Sequence, residues 1–358
     1  MTSGSAAGDT PRHELSRGYT IARVINGGWQ LSAGHRPKAV GTEATLAGLL
    51  DLVDAGFTTF DCGDIYVGVE ELLGQLVKRH ATRDTAAALP IQVHTKFVPD
   101  RDALAVIDKT HVEQIIDRSL QRLGVERLDL VQFAWWDYTV PRYVETAVWL
   151  DELRQAGKIH LLGATNFDVP RLREIVEAGV PLCSHQVQYS LLDRRPERGM
   201  VRFCQERNIQ LLGYGSLAGG FLSDRYLRAP EPVPPFANRS LVKYRLIIDE
   251  FGGWDRFQKL LRCLDTLAVR HGVSIANVAV GWVLDQDSVA AAIVGAANAS
   301  RLDDNRRVFG LRLDDKDRQQ LVPFDNAGPA GDVYSIERVL DGPHAAIMKY
   351  NLNRDATD

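Results

Sequence analysis

The sequence predicts an α/β chain folded as a (β/α)8 TIM barrel with long loops at the C-terminal face of its strands. Three observations predict it. Short apolar runs of strand length alternate with helical stretches about eight times along the chain, the rhythm of a parallel barrel. Gly56, Gly124, Gly157 and Gly179 each close a helical stretch just ahead of a strand, where a left-handed C-cap belongs. Of the 358 residues, 45% are apolar and 25% charged, enough for one large core, and barrels of this length routinely form a single domain.

Taken in order, the first strand is read at 21–25, followed by a helix at 42–55, a strand at 57–60 and a helix starting near Val69. Strands at 91–96, 128–133, 159–163, 185–188 and 209–213 follow, separated by helices at 111–123, 141–156, 169–178 and 198–207. A long helical region, a strand at 291–294 and a helix at 301–309 complete the series. Residues 1–16, small and polar, are expected to be a disordered leader, with 17–324 forming the barrel. Residues 325–358 form a C-terminal extension that either packs over the barrel mouth or hangs free. One segment, 223–257, breaks the rhythm with Pro230, Pro232, Pro234 and Pro235 and the aromatics Phe236, Tyr244, Phe251 and Trp254. It is too long for a plain connection and is read as a lid or cofactor clamp over the mouth.

The net charge of -4 argues against nucleic acid or an acidic membrane surface as partner, since both demand a basic face. Cys62, Cys183, Cys204 and Cys263 are scattered, with no C-x-x-C pair and no metal-ligand spacing, and read as reduced thiols. No run is long and apolar enough to span a bilayer, and the first residues lack the pattern of a signal peptide. A cytoplasmic protein acting on a small molecule is expected, with oligomeric state left open.

The chemistry gathers at strand ends. In Ile91-Gln92-Val93-His94-Thr95-Lys96 the polar Gln92, His94 and Lys96 share one face, and the apolar face must meet the helices, so Lys96 points into the barrel. A lysine there is costly without a carboxylate, and Asp61, closing the preceding strand, is its natural partner. Tyr66 follows in the next loop. A neighbouring ammonium favours the phenolate and is expected to lower a phenol pKa from its usual ~10, making Tyr66 a usable acid and base. The plainer alternative is a structural ion pair beside a loop aromatic.

These residues carry a resemblance. Phe60-Asp61-Cys62-Gly63-Asp64-Ile65-Tyr66, Thr95-Lys96, Gly163-Ala164-Thr165-Asn166-Phe167, Gln186-Val187-Gln188-Tyr189-Ser190 and Arg301-Leu302-Asp303-Asp304-Asn305 together resemble the aldo-keto reductases, in order from about Val24 to Phe309. The resemblance implies a barrel that binds a nicotinamide cofactor, usually NADP, in an extended pose. It also implies a tetrad of Asp, Tyr, Lys and His, of which Asp61, Tyr66 and Lys96 supply three. The fourth departs from the pattern. Gln132-Phe133-Ala134-Trp135-Trp136 places Ala134 where similar proteins carry the histidine. Losing one preorganised donor to a developing oxyanion costs on the order of 10²–10³ in rate. Water, an indole N–H of Trp135 or Trp136, and His94 are the candidate replacements, although His94 is more often a core histidine. An engineered knockout, a natural specialist whose substrate fills the space and a pseudo-enzyme all fit Ala134; retention of Asp61, Tyr66 and Lys96 favours the specialist.

The resemblance also places the nicotinamide carboxamide against Thr165, Asn166 and Gln186, with Tyr214 stacked on the ring. Gly213-Tyr214-Gly215-Ser216-Leu217-Ala218-Gly219-Gly220 mimics a Rossmann loop but lacks the acidic residue expected on a following strand, and is read as a pyrophosphate loop with Ser216 and Leu217 as contacts. Gly295-Ala296-Ala297-Asn298 opens a helix whose N-terminus can take phosphate, and Arg301 and Asn305 match the adenosine-phosphate site of the family. Gly295 stands where many relatives carry Lys or Arg, so NADP is favoured with NAD possible. Gly28, Trp29, Trp135, Trp136 and Tyr138 would wall a mouth suited to a bulky, ring-containing substrate. The leading expectation is an NAD(P)H-dependent oxidoreductase acting on a carbonyl, alcohol or enone through Tyr66. The alternatives are a cofactor-binding regulatory protein and a non-net-redox enzyme such as a dehydratase or epimerase.

Overall fold

The computed structural model describes residues 10–32, 41–83, 89–295 and 299–353. Ten strands run β1 (Arg12–Ser16), β2 (Tyr19–Ala22), β3 (Val24–Gly27), β4 (Thr59–Asp61), β5 (Gln92–Phe97), β6 (Leu128–Phe133), β7 (Ile159–Thr165), β8 (Leu182–Gln188), β9 (Gln210–Tyr214) and β10 (Val289–Gly295). Strands β3 to β10 close a parallel barrel in sequence order, with β10 pairing back onto β3. The (β/α)8 expectation holds. Gly56, Gly124, Gly157 and Gly179 all take positive φ, of 90°, 66°, 87° and 90°, as helix-ending glycines should. Asp108, Asp168 and Ser274 cap the opposite ends of their helices, each accepting a backbone N–H three residues on.

Alternation along the strands divides the core into two shells. Phe57, Phe60, Val93, Val131 and Leu162 pack between sheet and helices, while Ile25, Leu130, Leu212, Ala291 and Ile293 fill the barrel interior. Thr95, on the outward face of β5, gives its hydroxyl to Glu70 at 2.6 Å, so Lys96 is turned inward as the pattern demands.

The disordered leader expected up to residue 16 is corrected in part: residues 1–9 lie outside the described residues, but Arg12–Ser16 forms β1, antiparallel to β2. This hairpin closes the N-terminal end of the barrel. Leu15, Tyr19 and Ile21 join the interior shell, and Arg12 donates to Thr58 Oγ1 at 2.9 Å and Gln92 Oε1 at 3.0 Å.

The opposite end is crossed by two segments. Within 223–257 the chain forms the helix Arg239–Glu250, capped by Asn238. Tyr244 packs over Gly219, where a Cβ would come within 2.8 Å of its ring, and Ser240 accepts the Trp29 indole N–H at 3.2 Å across the mouth. The C-terminal extension does not hang free. Arg338 donates to the carbonyls of Trp135 and Trp136, both at 2.8 Å, to Tyr138 Oη at 2.8 Å and to the Asn166 carbonyl at 2.9 Å. Asn353, 7% exposed, is pinned by Asp100, whose Oδ1 accepts its backbone N–H at 2.8 Å.

Candidate active site

Between these crossing segments and the strand ends lies a cavity of about 770 Å³. At its base the Lys96 ammonium donates to Asp61 Oδ2 and to the Cys62 carbonyl, both at 2.7 Å. Asp61 Oδ1 accepts from Gln132 at 2.9 Å and from Gln186 at 2.6 Å, and Gln186 also donates to Gln132 Oε1 at 2.9 Å. Parallel pairing sets Lys96 level with Gln132, and through Gly163 with Ser184; Gln186, two residues beyond Ser184 on the same face of its strand, also reaches the carboxylate. The Lys96 Nζ lies 4.9 Å from the centroid of the Tyr66 ring, and Trp29 meets that ring edge-on. Burial alone would lower the Lys96 ammonium, but Asp61 and Tyr66 outweigh it and hold Lys96 above its ordinary value.

Tyr66 corrects an expectation. Burial pushes its phenol above the usual value, and Lys96 pulls against this without reversing it. The hydroxyl is therefore protonated at neutral pH, a donor rather than a standing phenolate.

Ala134 lines the same cavity, its backbone N–H given to the Phe97 carbonyl at 3.0 Å. Of the side chains that could replace a histidine there, two are excluded. His94 does not line the cavity: its Nε2 faces Tyr19 Oη at 3.3 Å at the sealed end, and burial lowers its pKa to about 4, leaving it neutral. The Trp135 indole N–H is already shared between the Asp137 and Val140 carbonyls, both at 3.0 Å. Trp136 differs. It lines the cavity, is held edge-on by Tyr350, and its buried indole nitrogen has no partner among the described residues.

The other residues singled out from the sequence mostly converge here. Thr165, Asn166, Gln186, Tyr214, Ser216, Leu217, Gly295, Arg301 and Asn305 all line the cavity, as do Trp29, Trp135 and Trp136. Asn166, at a φ of 61°, accepts the Tyr214 hydroxyl at 2.9 Å. With both N–H groups of Gln186 committed to Asp61 and Gln132, only its carbonyl oxygen is left for a ligand. Ser216 Oγ is buried without a partner among the described residues. Residues 296–298 of the expected phosphate-binding turn lie outside the described residues, and the regular helix begins later, at Leu302.

Two wall residues are corrected. Gly28 packs on the Asp61 carbonyl, which accepts its N–H at 2.7 Å and leaves no room for a side chain. Tyr138 lies behind the wall, its ring stacked on Phe167 and its hydroxyl receiving the Asp168 N–H at 3.1 Å. The sequence reading missed Lys243 on the crossing helix and Tyr334, Met348 and Lys349 in the extension, all of which line the cavity. The aromatic content of 223–257 was the available signal for Lys243, through its neighbour Tyr244; the extension offered none.

A closed parallel barrel whose mouth gathers a buried ammonium, a carboxylate and a phenol is a barrel with a proton-handling site at the C-terminal ends of its strands. The chain belongs to the aldo/keto reductase family, whose family model matches residues 23–325. It is 28% identical over 324 residues to the aldo-keto reductase YhdN of Bacillus subtilis (strain 168), covering 85% of this chain and 90% of that one. It is 25% identical over 320 residues to the NADH-specific methylglyoxal reductase of Escherichia coli (strain K12), covering 83% and 93%. Among solved structures, the glycerol dehydrogenase of Gluconobacter oxydans superposes with a TM-score of 0.72 at 27% identity, over 89% of this chain and 95% of that chain. The family comprises oxidoreductases that generally depend on NAD(P)H and act on small molecules.

Proposed function

We propose that this chain is a cytoplasmic NAD(P)H-dependent oxidoreductase that interconverts a carbonyl, or a conjugated enone, and its reduced form in a bulky small molecule, with Tyr66 moving the proton. The observation that carries the reading is the Asp61–Lys96 pair set beside Tyr66 in one cavity.

The residues fit a nicotinamide dinucleotide. Ser216 Oγ, buried and unpartnered among the described residues, suits a phosphate oxygen, and Arg301 and Asn305 suit a second phosphate, which supports NADP over NAD. Thr165, Asn166 and the free carbonyl of Gln186 offer the donors and acceptors an amide needs, and Tyr214 offers a ring face. When bound, the nicotinamide supplies the hydride for reduction or takes it in oxidation.

The protein's own part is proton handling. In reduction the Tyr66 hydroxyl gives its proton to the carbonyl oxygen, and the resulting phenolate is stabilised by Lys96 until water returns a proton. Asp61, fixed by Gln132 and Gln186, keeps Lys96 charged and in place. Trp136 is the remaining side-chain donor for the carbonyl oxygen where Ala134 supplies none. A second reading rests on Ala134 itself: a cofactor-binding regulator, or an enzyme with no net redox change, would tolerate this loss.

The test is NADPH consumption against a panel of aldehydes, ketones and enones by the wild type and by Ala134→His. Turnover by the wild type supports the redox reading, and Ala134→His is expected to raise simple aldehyde reduction severalfold at unchanged NADPH affinity. Tight NADPH binding with no consumption across the panel would establish the second reading instead, and absence of nicotinamide binding would sink both.

A further inference from the structure

Lys243 is a cation the proton-handling scheme does not use. It projects into the cavity from the helix Arg239–Glu250, with its Nζ 5.1 Å from the ring centroid of Tyr214 and 5.7 Å from those of Tyr244 and Tyr334. Its ammonium makes no hydrogen bond or ion pair among the described residues. The carboxylates that line the cavity are committed elsewhere: Asp61 to Lys96, and Asp304 to Ser274 at 3.0 Å and Asn277 at 2.7 Å.

The two nearest carboxylates outside the lining, Asp193 and Glu337, are gripped by Arg195. That guanidinium donates to Glu337 at 2.8 and 2.9 Å and to Asp193 at 2.9 and 2.6 Å. The trio keeps one net negative charge, which favours the Lys243 ammonium. Burial nevertheless prevails and holds Lys243 below its ordinary value. Three ammonium N–H groups thus face a ring-lined space without an acceptor among the described residues.

Building on the redox reading, we propose that the substrate is a ring-bearing carbonyl compound that carries a carboxylate, and that Lys243 is the specificity residue that binds the carboxylate. The tyrosine rings bury the flat body of such a molecule, and the carboxylate restores to the ammonium the acceptors that burial removes.

The experiment compares binding of 4-carboxybenzaldehyde and its methyl ester, methyl 4-formylbenzoate, by calorimetry, to the full-length protein with and without saturating NADP+. The acid is expected to bind about tenfold or more tightly than the ester, the usual worth of a charge-assisted hydrogen bond. That ratio should fall toward one in Lys243→Met and persist in Lys243→Arg. A wild-type ratio within about twofold of one, a ratio unmoved by Lys243→Met, or no binding of either compound would overturn the proposal. Lys243→Gln carries the same comparison if Lys243→Met fails to fold, as judged by circular dichroism. Because the readout is binding, a failure here leaves NADPH consumption standing, and a protein without turnover still yields the ratio.

Discussion

Two buried cations in this molecule are set in opposite ways. Arg195 lies with its side chain 1% exposed, and its planar fork is bidentate to Asp193 and to Glu337, with Gln188 adding a donor to Asp193 at 2.6 Å. Lys96 is nearly as buried, at 5%, yet among the described residues it gives N–H groups to Asp61 and Cys62 while facing an open cavity beside the Tyr66 phenol. A guanidinium saturated on both sides acts as a bracket, here tying the extension that carries Glu337 to the loop after β8. An ammonium facing an open cavity beside a phenol can respond when charge appears nearby. The contrast suggests that the same physical ingredients, burial and opposite charge, serve stability where the cation is sealed in and chemistry where it faces a cavity.

Substitutions can break this contrast. The largest effect is expected from Lys96→Met, which should cut kcat for NADPH-dependent reduction by about 10³-fold, roughly 4 kcal/mol on the barrier, because the phenolate left after proton transfer loses its counter-charge. The fold should survive, since Asp61 keeps Gln132 and Gln186. A fully active or an unfolded Lys96→Met protein would erase the distinction. Arg195→Leu should do the reverse: strand two buried carboxylates, lower unfolding free energy by about 3–5 kcal/mol in urea titration, and leave the Asp61–Lys96–Tyr66 cluster assembled in whatever fraction stays folded.

The smallest effect sharpens the same comparison with another buried carboxylate, Asp64. Arg195 outweighs burial at Glu337 and holds it at about 2. Asp64 has only backbone and amide donors, from Ile65 at 3.0 Å, Val98 at 3.1 Å and Asn353 at 3.3 Å, and burial, aided by Glu70, raises it to about 7 from 3.8. Between those two values the folded chain holds a proton that the unfolded chain has released, so this group adds stability as pH falls from about 8 toward about 5 and withdraws it as pH rises through 7. Thermal melts across that range should show the slope in the wild type and a flatter profile in Asp64→Asn.

Much of this was legible in the residues themselves. The barrel followed from strand–helix rhythm, and the inward turn of Lys96 toward Asp61 followed from one polar face on β5, because period-two alternation is local. Height inside the barrel is not local. His94 shares the face of Lys96, but two residues of strand put it about 7 Å deeper, beyond the cavity and against Tyr19. The sign of the Tyr66 shift was misjudged for a related reason: Lys96 is visible in the sequence, whereas the burial that opposes it depends on the segments folded over the mouth. Arg338 and Tyr334 were out of reach altogether, and Lys243 was signalled only through its aromatic neighbour Tyr244, since their places are set by docking of distant chain rather than by any periodicity. Of the pair Gly28 and Trp29 expected in the wall, Trp29 carries it, while the backbone of Gly28 is pressed against Asp61.

The hairpin of β1 and β2 closes one end of the barrel. With Tyr19 wedged between His94 and His160 and Arg12 fastening the edge, nothing passes through the floor of the barrel. At the opposite end, the Trp29–Ser240 bridge spans the mouth above Lys96. Where two molecules share a pocket floored in this way, the outer one shields the deeper one, a consequence of the architecture that precedes any difference in affinity.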